Sequence, residues 1–153
     1  MISIRVYGEP ATQGSKGSGR YGGVYEMSKG LPAWRAAVTA ACRSAVNGDA
    51  YPAGVPVLVS IMVYMERPEM HYRRGKFAHL LRAGAPARPC GARKDLDKFV
   101  RGILDALKKG GAYADDGQVA DLIAAKVYCA PGQQPGARID IEPCKEGTTN
   151  DSD

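Results

Sequence analysis

The sequence predicts an α+β fold in which two main helices pack on a small mixed β-sheet. Two observations predict it: apolar residues recur at helical spacing in two segments, and they alternate or are β-branched in several shorter ones. With 153 residues, the chain is long enough for one ordinary core. We expect one domain over residues 1–144, followed by a polar, disordered tail over residues 145–153.

The chain opens with a half-exposed strand, Met1–Tyr7, in which isoleucine and polar residues alternate. Residues 8–23 are rich in Gly and Ser and predict a loop. Part of this loop matches GxGxxG, but it lacks the strand-to-helix context that dinucleotide binding requires. The alternative is a loop that contacts a nucleic-acid backbone through Lys16 and Arg20.

A first helix is expected from about Pro32 to Val46, with Ser28 as its cap and Asn47 at its end. Its apolar stripe includes Trp34, which is better explained as a core anchor than as a base-stacking residue. A strand rich in β-branched residues follows over Val55–Met65.

The second half of the chain begins with a long, basic and irregular loop, Arg67–Arg93, of a length that is usually functional or disordered. A second helix is expected over Leu96–Lys109, because apolar residues recur along one face and two glycines follow it. Residues 119–127 are ambiguous, although Ala125–Cys129 resembles a strand, and Ala137–Ile141 predicts the last strand.

Charge is unevenly distributed along a chain whose net charge is +5 and whose pI is about 9.1. Between Glu66 and Arg101 there are ten Lys or Arg residues against four acids. Such a segment favours a polyanionic partner, whose phosphates it would bind without regard to sequence. A solvated surface loop explains the same charge run equally well.

The cysteines do not predict a zinc site, because Cys42, Cys90, Cys129 and Cys144 form no CxxC pair and have no histidine at ligand spacing. The N-terminal residues do not have the pattern of a signal peptide, and no apolar run reaches the length of a membrane span. Free thiols fit a reduced compartment, so we expect a cytoplasmic protein without membrane association.

Aspartates flank the second predicted helix on both sides: Asp95 and Asp97 at its start, and the pair Asp115 and Asp116 beyond its end. Residues i and i+2 share a side only in extended backbone, so the first pair can converge on one ion at the helix start. A third carboxylate would complete an oxygen-only site for Mg²⁺. This pattern, next to the most basic segment, predicts a metal-dependent nuclease centre.

Each acidic element also has a simpler explanation. Asp95 or Asp97 could cap the helix, and the series of Asp97, Arg101 and Asp105 could form surface ion pairs at i,i+4 spacing. We expect Asp105 to pair with Arg101. The two aspartates after the helix could shape a turn.

Two runs, KDLDKFVRGILDAL at residues 94–107 and AYADDGQVADL at residues 112–122, resemble the RusA family of Holliday-junction resolvases, which is common in phages and prophages. The resemblance extends over roughly residues 1–142. It includes the opening strand and its Gly/Ser-rich loop, the Trp-Arg pair of the first helix, and the stretch HYRRGK…LL…APARP.

The resemblance implies a small, RusA-like fold that acts as a homodimer and nicks four-way DNA junctions with Mg²⁺, for which Mn²⁺ could substitute. By the same match, Asp95, Asp97 and Asp116 hold the metal and serve catalysis. We expect Asp115 to support these ligands or to shape the turn. Arg101 corresponds to a catalytically important basic residue that is lysine in some members. Because arginine stays protonated, we assign Arg101 to charge stabilisation and not to proton transfer. Lys94 stands where many relatives have proline.

The predicted function is therefore an endodeoxyribonuclease that resolves four-way junctions by paired symmetric nicks in recombination and repair, without a small-molecule cofactor. A C₂ dimer matches the symmetry of two such cuts. The predicted DNA contacts are Lys16, Arg20, Arg73, Arg74, Lys76, Arg93, Lys94 and Lys98. Two alternatives remain open: a non-catalytic DNA-binding protein of the same fold, and a nuclease with a broader preference for flaps or forks. If the gene belongs to a phage, the expected location is the cytoplasm of the bacterial host.

Overall fold

The computed structural model describes residues 1–14, 17–18, 24–25, 29–91 and 94–147. Its strands are β1 (Ile2–Tyr7), β2 (Gly17–Ser18), β3 (Val24–Tyr25), β4 (Val57–Met65), β5 (Val119–Tyr128) and β6 (Gly136–Pro143), and its helices are α1 (Leu31–Val46) and α2 (Leu96–Lys109). The predicted cap Ser28 lies outside the described residues. The N-cap position of α1 is Gly30, and Pro32 lies in the first turn.

The main sheet has the strand order β1-β6-β4-β5, and β2 pairs with β3 in a separate two-stranded ribbon. Within the main sheet, β4 and β5 are parallel, whereas β6 runs antiparallel to both of its neighbours. The sheet is therefore mixed, and with the two helices it confirms the predicted α+β fold. The predicted strand at Ala125–Cys129 is wrong in extent, because β5 begins six residues earlier.

The core lies between one face of the sheet and the two helices. Along β4, fully buried and partly exposed residues alternate, so every second side chain enters the core. Helix α1 contacts β1, α2 contacts β5, and the two helices contact each other. Trp34 is only 2% exposed, which confirms it as a core anchor.

Gly110, directly after α2, allows the two helices to approach closely. A Cβ atom at this position would lie 2.6 Å from Cβ of Cys42 and 3.1 Å from the carbonyl oxygen of Thr39. Any side chain would therefore separate the helices. The predicted stop at Gly110 is thus also a packing requirement, and it fixes where the chain leaves α2.

No helix among the described residues is both long enough and apolar enough to cross a membrane.

Candidate active site

The start of α2 presents two carboxylates to solvent. Asp95 occupies the N-cap position with extended backbone, and its carbonyl oxygen accepts hydrogen bonds from the N–H groups of Lys98 and Phe99. Its carboxylate makes no capping hydrogen bond and lies 3.3 Å from the ammonium of Lys98. Asp97 lies exposed in the first turn. Helix capping therefore does not explain the side chain of Asp95, which is exposed and pairs only with the half-exposed Lys98 among the described residues.

Arg101 lies one turn after Asp97 and is exposed. The expected pair with Asp105 is wrong: within the described part of the chain, Asp105 instead accepts a 2.7 Å hydrogen bond from Nε2 of Gln13. The guanidinium of Arg101 has no ion pair with another described residue, so it remains available for an anionic ligand.

The segment that carries Gln13 crosses α2 at Gly102. The backbone N–H of Gln13 donates to the carbonyl oxygen of Lys98, and a Cβ at Gly102 would lie 3.4 Å from Cβ of Gln13. Oε1 of Gln13 is buried without a hydrogen-bond partner among the described residues. Glycine at position 102 thus permits a close crossing that ties the Gly/Ser-rich N-terminal region to the Asp97–Arg101 face. No periodic pattern in the sequence predicts this contact.

The second acidic pair lies in a turn that is stabilised by hydrogen bonds from the buried side chain of Gln118. Oε1 of this buried glutamine accepts from the N–H groups of Ala114 and Asp115, and its Nε2 donates to the carbonyl oxygens of Pro52 and Val55. Asp115 completes a capping box with Gln118. Asp115 therefore shapes the turn, as one of the two expected roles requires.

Asp116 projects from this turn, and its side chain is 60% exposed. The ammonium of Lys108, in the last turn of α2, lies 3.5 Å from its carboxylate. Nearby Tyr113 donates a 3.0 Å hydrogen bond to the carbonyl oxygen of Leu104. Burial raises the pKa of Tyr113 above its ordinary value, and the charges of Asp116 and Asp105 raise it further.

The two acidic pairs lie at opposite ends of α2 in a single chain. Lys108, the neighbour of Asp116, is eleven residues beyond Asp97, or about 16 Å along the helix axis. The sheet confirms this separation. Lys126, near the end of β5, donates to the carbonyl oxygen of Lys94, whereas Gln118 ties the other pair to Val55, which precedes β4.

Among the described residues, no group of three acidic, histidine or cysteine side chains could hold a metal ion together. One chain thus brings Asp95 close to Asp97 and Asp115 close to Asp116, but it does not join the pairs. The three-aspartate magnesium site stays a prediction, and it requires a source of Asp116 other than the same chain.

The basic residues form two groups in the described structure. Arg73, Arg74 and Lys76 lie exposed on an excursion between β4 and α2, whereas Lys94 and Lys98 lie beside the first acidic pair. Lys16, Arg20 and Arg93, the other predicted DNA contacts, lie outside the described residues.

The basic excursion has its own internal order. One-turn 3₁₀ helices form at Glu69–His71 and Gly75–Phe77, and Tyr72 forms an antiparallel bridge with Leu81. Two arginines secure the bridge: Nε of Arg73 donates to the carbonyl oxygen of Leu81, and Nε of Arg82 donates to that of Tyr72.

Arg67 anchors this excursion to the end of β5, a role that the sequence did not reveal. Its guanidinium donates to the carbonyl oxygens of Cys129 and Pro86, and it lies 5.2 Å from the ring centroid of Tyr128. The ring of His71 packs edge-on against the same tyrosine. The basic surface is therefore attached to the sheet next to the start of α2.

The comparison with protein families identifies the chain. The family model of endodeoxyribonuclease RusA matches residues 7–142, which include both helices, both acidic pairs and the basic excursion. A search of curated proteins finds no match. The match covers nearly the whole chain and agrees with the resemblance carried by the aspartate series. The chain therefore belongs to the RusA family of endodeoxyribonucleases, which resolve Holliday junctions.

Proposed function

We propose that this protein is a Mg²⁺-dependent endodeoxyribonuclease that resolves four-way DNA junctions by paired symmetric nicks, in recombination and repair in the cytoplasm. The observation that carries the mechanism is the separation of the two acidic pairs by the length of α2. Neither pair alone supplies three carboxylates, yet both are exposed and each lies beside a cationic side chain.

A homodimer would bring the two acidic pairs together, one from each chain. In a two-fold arrangement, the start of α2 in one chain meets the end of α2 in the other, so Asp95 and Asp97 combine with the partner's Asp116. The two-fold axis then generates a second, identical site. Two sites of this kind match the symmetry of a four-way junction, in which two strands of like polarity are cut.

The side chains suit a hard divalent cation. All three candidate ligands are carboxylates, which Mg²⁺ prefers, and Mn²⁺ accepts the same oxygen donors. A bound cation would supply Lewis-acid chemistry, which activates water and offsets charge on the phosphate.

Arg101 has a separate role. It lies on the next turn from Asp97 and has no ion pair with a described residue, so its planar guanidinium can hold a phosphate oxygen beside the carboxylates. Its permanent charge favours the more negative transition state over the substrate.

The basic residues bind the arms of the junction. Arg73, Arg74 and Lys76 are exposed on the basic excursion, and Lys98 lies beside Asp95. We assign the first three to the junction arms and Lys94 and Lys98 to the DNA next to the cleaved phosphate. We assign Lys16, Arg20 and Arg93 to the same DNA interface. Contacts of this kind depend strongly on salt, because each releases counterions from the phosphate backbone.

The experiment mixes two inactive variants. Asp97→Asn and Asp116→Asn should each abolish nicking of a synthetic four-way junction. When the two proteins are mixed and allowed to exchange subunits, a heterodimer carries one site with both substitutions and one intact site. Nicking should therefore return, as single nicks without paired resolution.

The matched control mixes Asp95→Asn with Asp97→Asn. Both substitutions affect the same half of the site, so neither site of this heterodimer is intact and no activity should return. If Asp97→Asn and Asp116→Asn do not complement each other although subunits exchange, the shared site is wrong.

A separate experiment tests substrate preference. The wild-type protein is assayed on a panel of junction, flap, fork and duplex substrates, and the relative cleavage rates decide whether four-way junctions are preferred.

A further inference from the structure

Asp105 lies where two rows of side chains on α2 meet. It follows Arg101 by four residues and Gly102 by three, and residues at both spacings are neighbours on the surface of a helix. Arg101 is exposed, whereas Asp105 is half-buried. The carboxylate of Asp105 can therefore contact either the guanidinium of Arg101 or the segment that crosses the helix at Gly102.

Gln13 belongs to the crossing segment, and its side chain binds the carboxylate. Nε2 of Gln13 donates a 2.7 Å hydrogen bond to Oδ2 of Asp105. Hydrogen bonds to an ionised acceptor are short and about twice as strong as those between neutral groups. In the part of the chain that the structure describes, neither Arg101 nor Asp105 forms an ion pair. The carboxylate thus binds a neutral amide although an arginine lies one turn away.

Contacts other than Asp105 hold Gln13 in place. Its backbone N–H donates a 3.0 Å hydrogen bond to the carbonyl oxygen of Lys98, and its Cβ lies 3.4 Å from the position that a Cβ would occupy at Gly102. Lys98, Gly102 and Asp105 follow one another along one side of α2, at helical spacing. The main chain and the close packing at Gly102 therefore present the amide of Gln13 to Asp105 in a fixed position.

The removal of this amide would leave Asp105 with one neighbouring donor, Arg101. A half-buried carboxylate that loses a hydrogen bond is destabilised until it finds another donor. Opposite charges at i,i+4 spacing form ion pairs, and the planar guanidinium suits a carboxylate well. Such a pair would occupy the N–H groups of Arg101 and cancel its charge. The proposed function requires both of these for the phosphate.

We propose that Gln13 is a positioning residue of the active site, which binds Asp105 and thereby keeps Arg101 unpaired for the phosphate that is cleaved. This inference rests on the proposed function, because that function assigns Arg101 to the phosphate. Gln13 acts through Asp105 and Arg101, and it has no assigned contact with the metal or with DNA.

The first test is Gln13→Ala, which removes the amide and retains the backbone hydrogen bond to Lys98. The rate of junction nicking should fall about three- to fivefold, the upper end for an exposed ion pair, because Asp105 is half-buried. A single turnover with saturating enzyme measures this rate without a contribution from weaker DNA binding. The matched control is Thr12→Ala, at a half-buried neighbour, which should nick at the wild-type rate. An unchanged rate for Gln13→Ala would overturn the proposal.

Asp105→Asn distinguishes positioning from a purely structural role. In an otherwise wild-type protein, the asparagine oxygen still accepts from Gln13, so nicking should stay near the wild-type rate. In Gln13→Ala, the same change removes the carboxylate that captures Arg101, so the rate should return to near wild type. A double variant that is no faster than Gln13→Ala would refute the proposal. A residue that only packs the N-terminal segment against α2 is not rescued by the loss of this charge.

A second measurement does not depend on DNA cleavage. A double-mutant cycle of Arg101→Ala and Asp105→Asn, followed by urea denaturation, reports the coupling between the two side chains. The coupling should be absent when Gln13 is present. In Gln13→Ala it should change the unfolding equilibrium constant by about three- to fivefold. Equal coupling in the two backgrounds would show that Gln13 does not keep Asp105 and Arg101 apart.

These outcomes separate the role of Gln13 from the proposed function. If the wild-type protein cuts no junction, the proposed function is refuted, and the coupling in the two backgrounds alone decides whether Gln13 keeps Arg101 unpaired. If junctions are cut and Arg101→Ala is inactive, but Asp105→Asn does not rescue Gln13→Ala, the function stands and the role of Gln13 is refuted.

Discussion

The ammonium of Lys108 lies 3.5 Å from the carboxylate of Asp116, a candidate metal ligand in the same chain. Both side chains are about half exposed, so the pair contributes little to stability. The pair should instead affect Mg²⁺ binding, because an ammonium and a divalent ion compete for the same carboxylate.

Replacing Lys108 by Met should therefore lower the Mg²⁺ concentration that gives half-maximal junction nicking. We expect a shift of about 1.4- to 5-fold, which corresponds to the roughly 0.2–1 kcal/mol typical of an exposed ion pair. A titration of nicking rate against Mg²⁺ measures it. Lys109→Met is the control, since Lys109 is also exposed in the last turn but has no ion pair with a described residue. An unchanged or higher Mg²⁺ requirement for Lys108→Met would contradict the competition.

Gln118 should be the most sensitive polar residue near the site. Its side chain makes four hydrogen bonds with backbone groups and is only 7% exposed. Gln118→Ala leaves several buried groups without partners, so we expect a loss of about 2–3 kcal/mol in the free energy of unfolding. Urea denaturation measures the loss. Gln133→Ala, which removes one exposed hydrogen bond to the N–H of Ala130, should cost less than about 1 kcal/mol.

Tyr113 should make stability depend on pH in the alkaline range. Its ordinary pKa is 10.0, and burial raises the pKa in the folded state. Above pH 10 the unfolded chain releases the phenol proton first, so the folded state loses stability by up to about 1.4 kcal/mol per pH unit. Below pH 10 both states hold the proton and this contribution is fully present.

Tyr113→Phe should cost about 1 kcal/mol at neutral pH, because the hydrogen bond to Leu104 is lost. The difference between wild type and variant should then shrink as pH rises above 10. Denaturation at pH 7, 9 and 10.5 tests this. A constant difference at all three values would show that the phenol proton does not contribute.

Arg74 and Arg73 should affect junction binding differently. Arg74→Ala removes one exposed charge, so the slope of log affinity against log salt should fall by about one. Arg73→Ala should reduce the slope similarly and also weaken the bridge between Tyr72 and Leu81, because Nε of Arg73 holds the carbonyl oxygen of Leu81. Binding of Asp97→Asn to a labelled junction at several salt concentrations gives both slopes without cleavage. Equal slopes in Arg74→Ala and the parent would exclude Arg74 from the interface.

Local periodicity predicted α2 very well. Its apolar face and the two glycines after it placed the helix at Leu96–Lys109, and these are the observed bounds. β5 was harder to predict because it is an edge strand of the main sheet, with a mixed pattern of exposed and half-buried residues. Within this strand only Asp121 and Lys126 are charged, and apolar residues such as Leu122 and Ile123 follow one another, so the usual alternation is absent.

Long-range contacts account for the rest of the differences. The expected ion pair of Arg101 with Asp105 rested on their closeness in the sequence. In the fold, Gln13, which is 92 residues away in the chain, donates a hydrogen bond to the carboxylate of Asp105. The residue types of the candidate site followed from the sequence. The opposite locations of the two acidic pairs did not, because that arrangement depends on how the chain returns to the sheet after α2.

In the proposed dimer, the start of α2 in one chain meets the end of α2 in the other, so one catalytic centre lies at each end of the helix pair. The length of α2 then sets the distance between the two centres. Fourteen residues correspond to about 21 Å, and one added helical turn would move the centres apart by about 5.4 Å. If the proposed dimer makes paired nicks on a junction, we therefore expect their spacing to depend on the number of residues between Asp97 and Asp116.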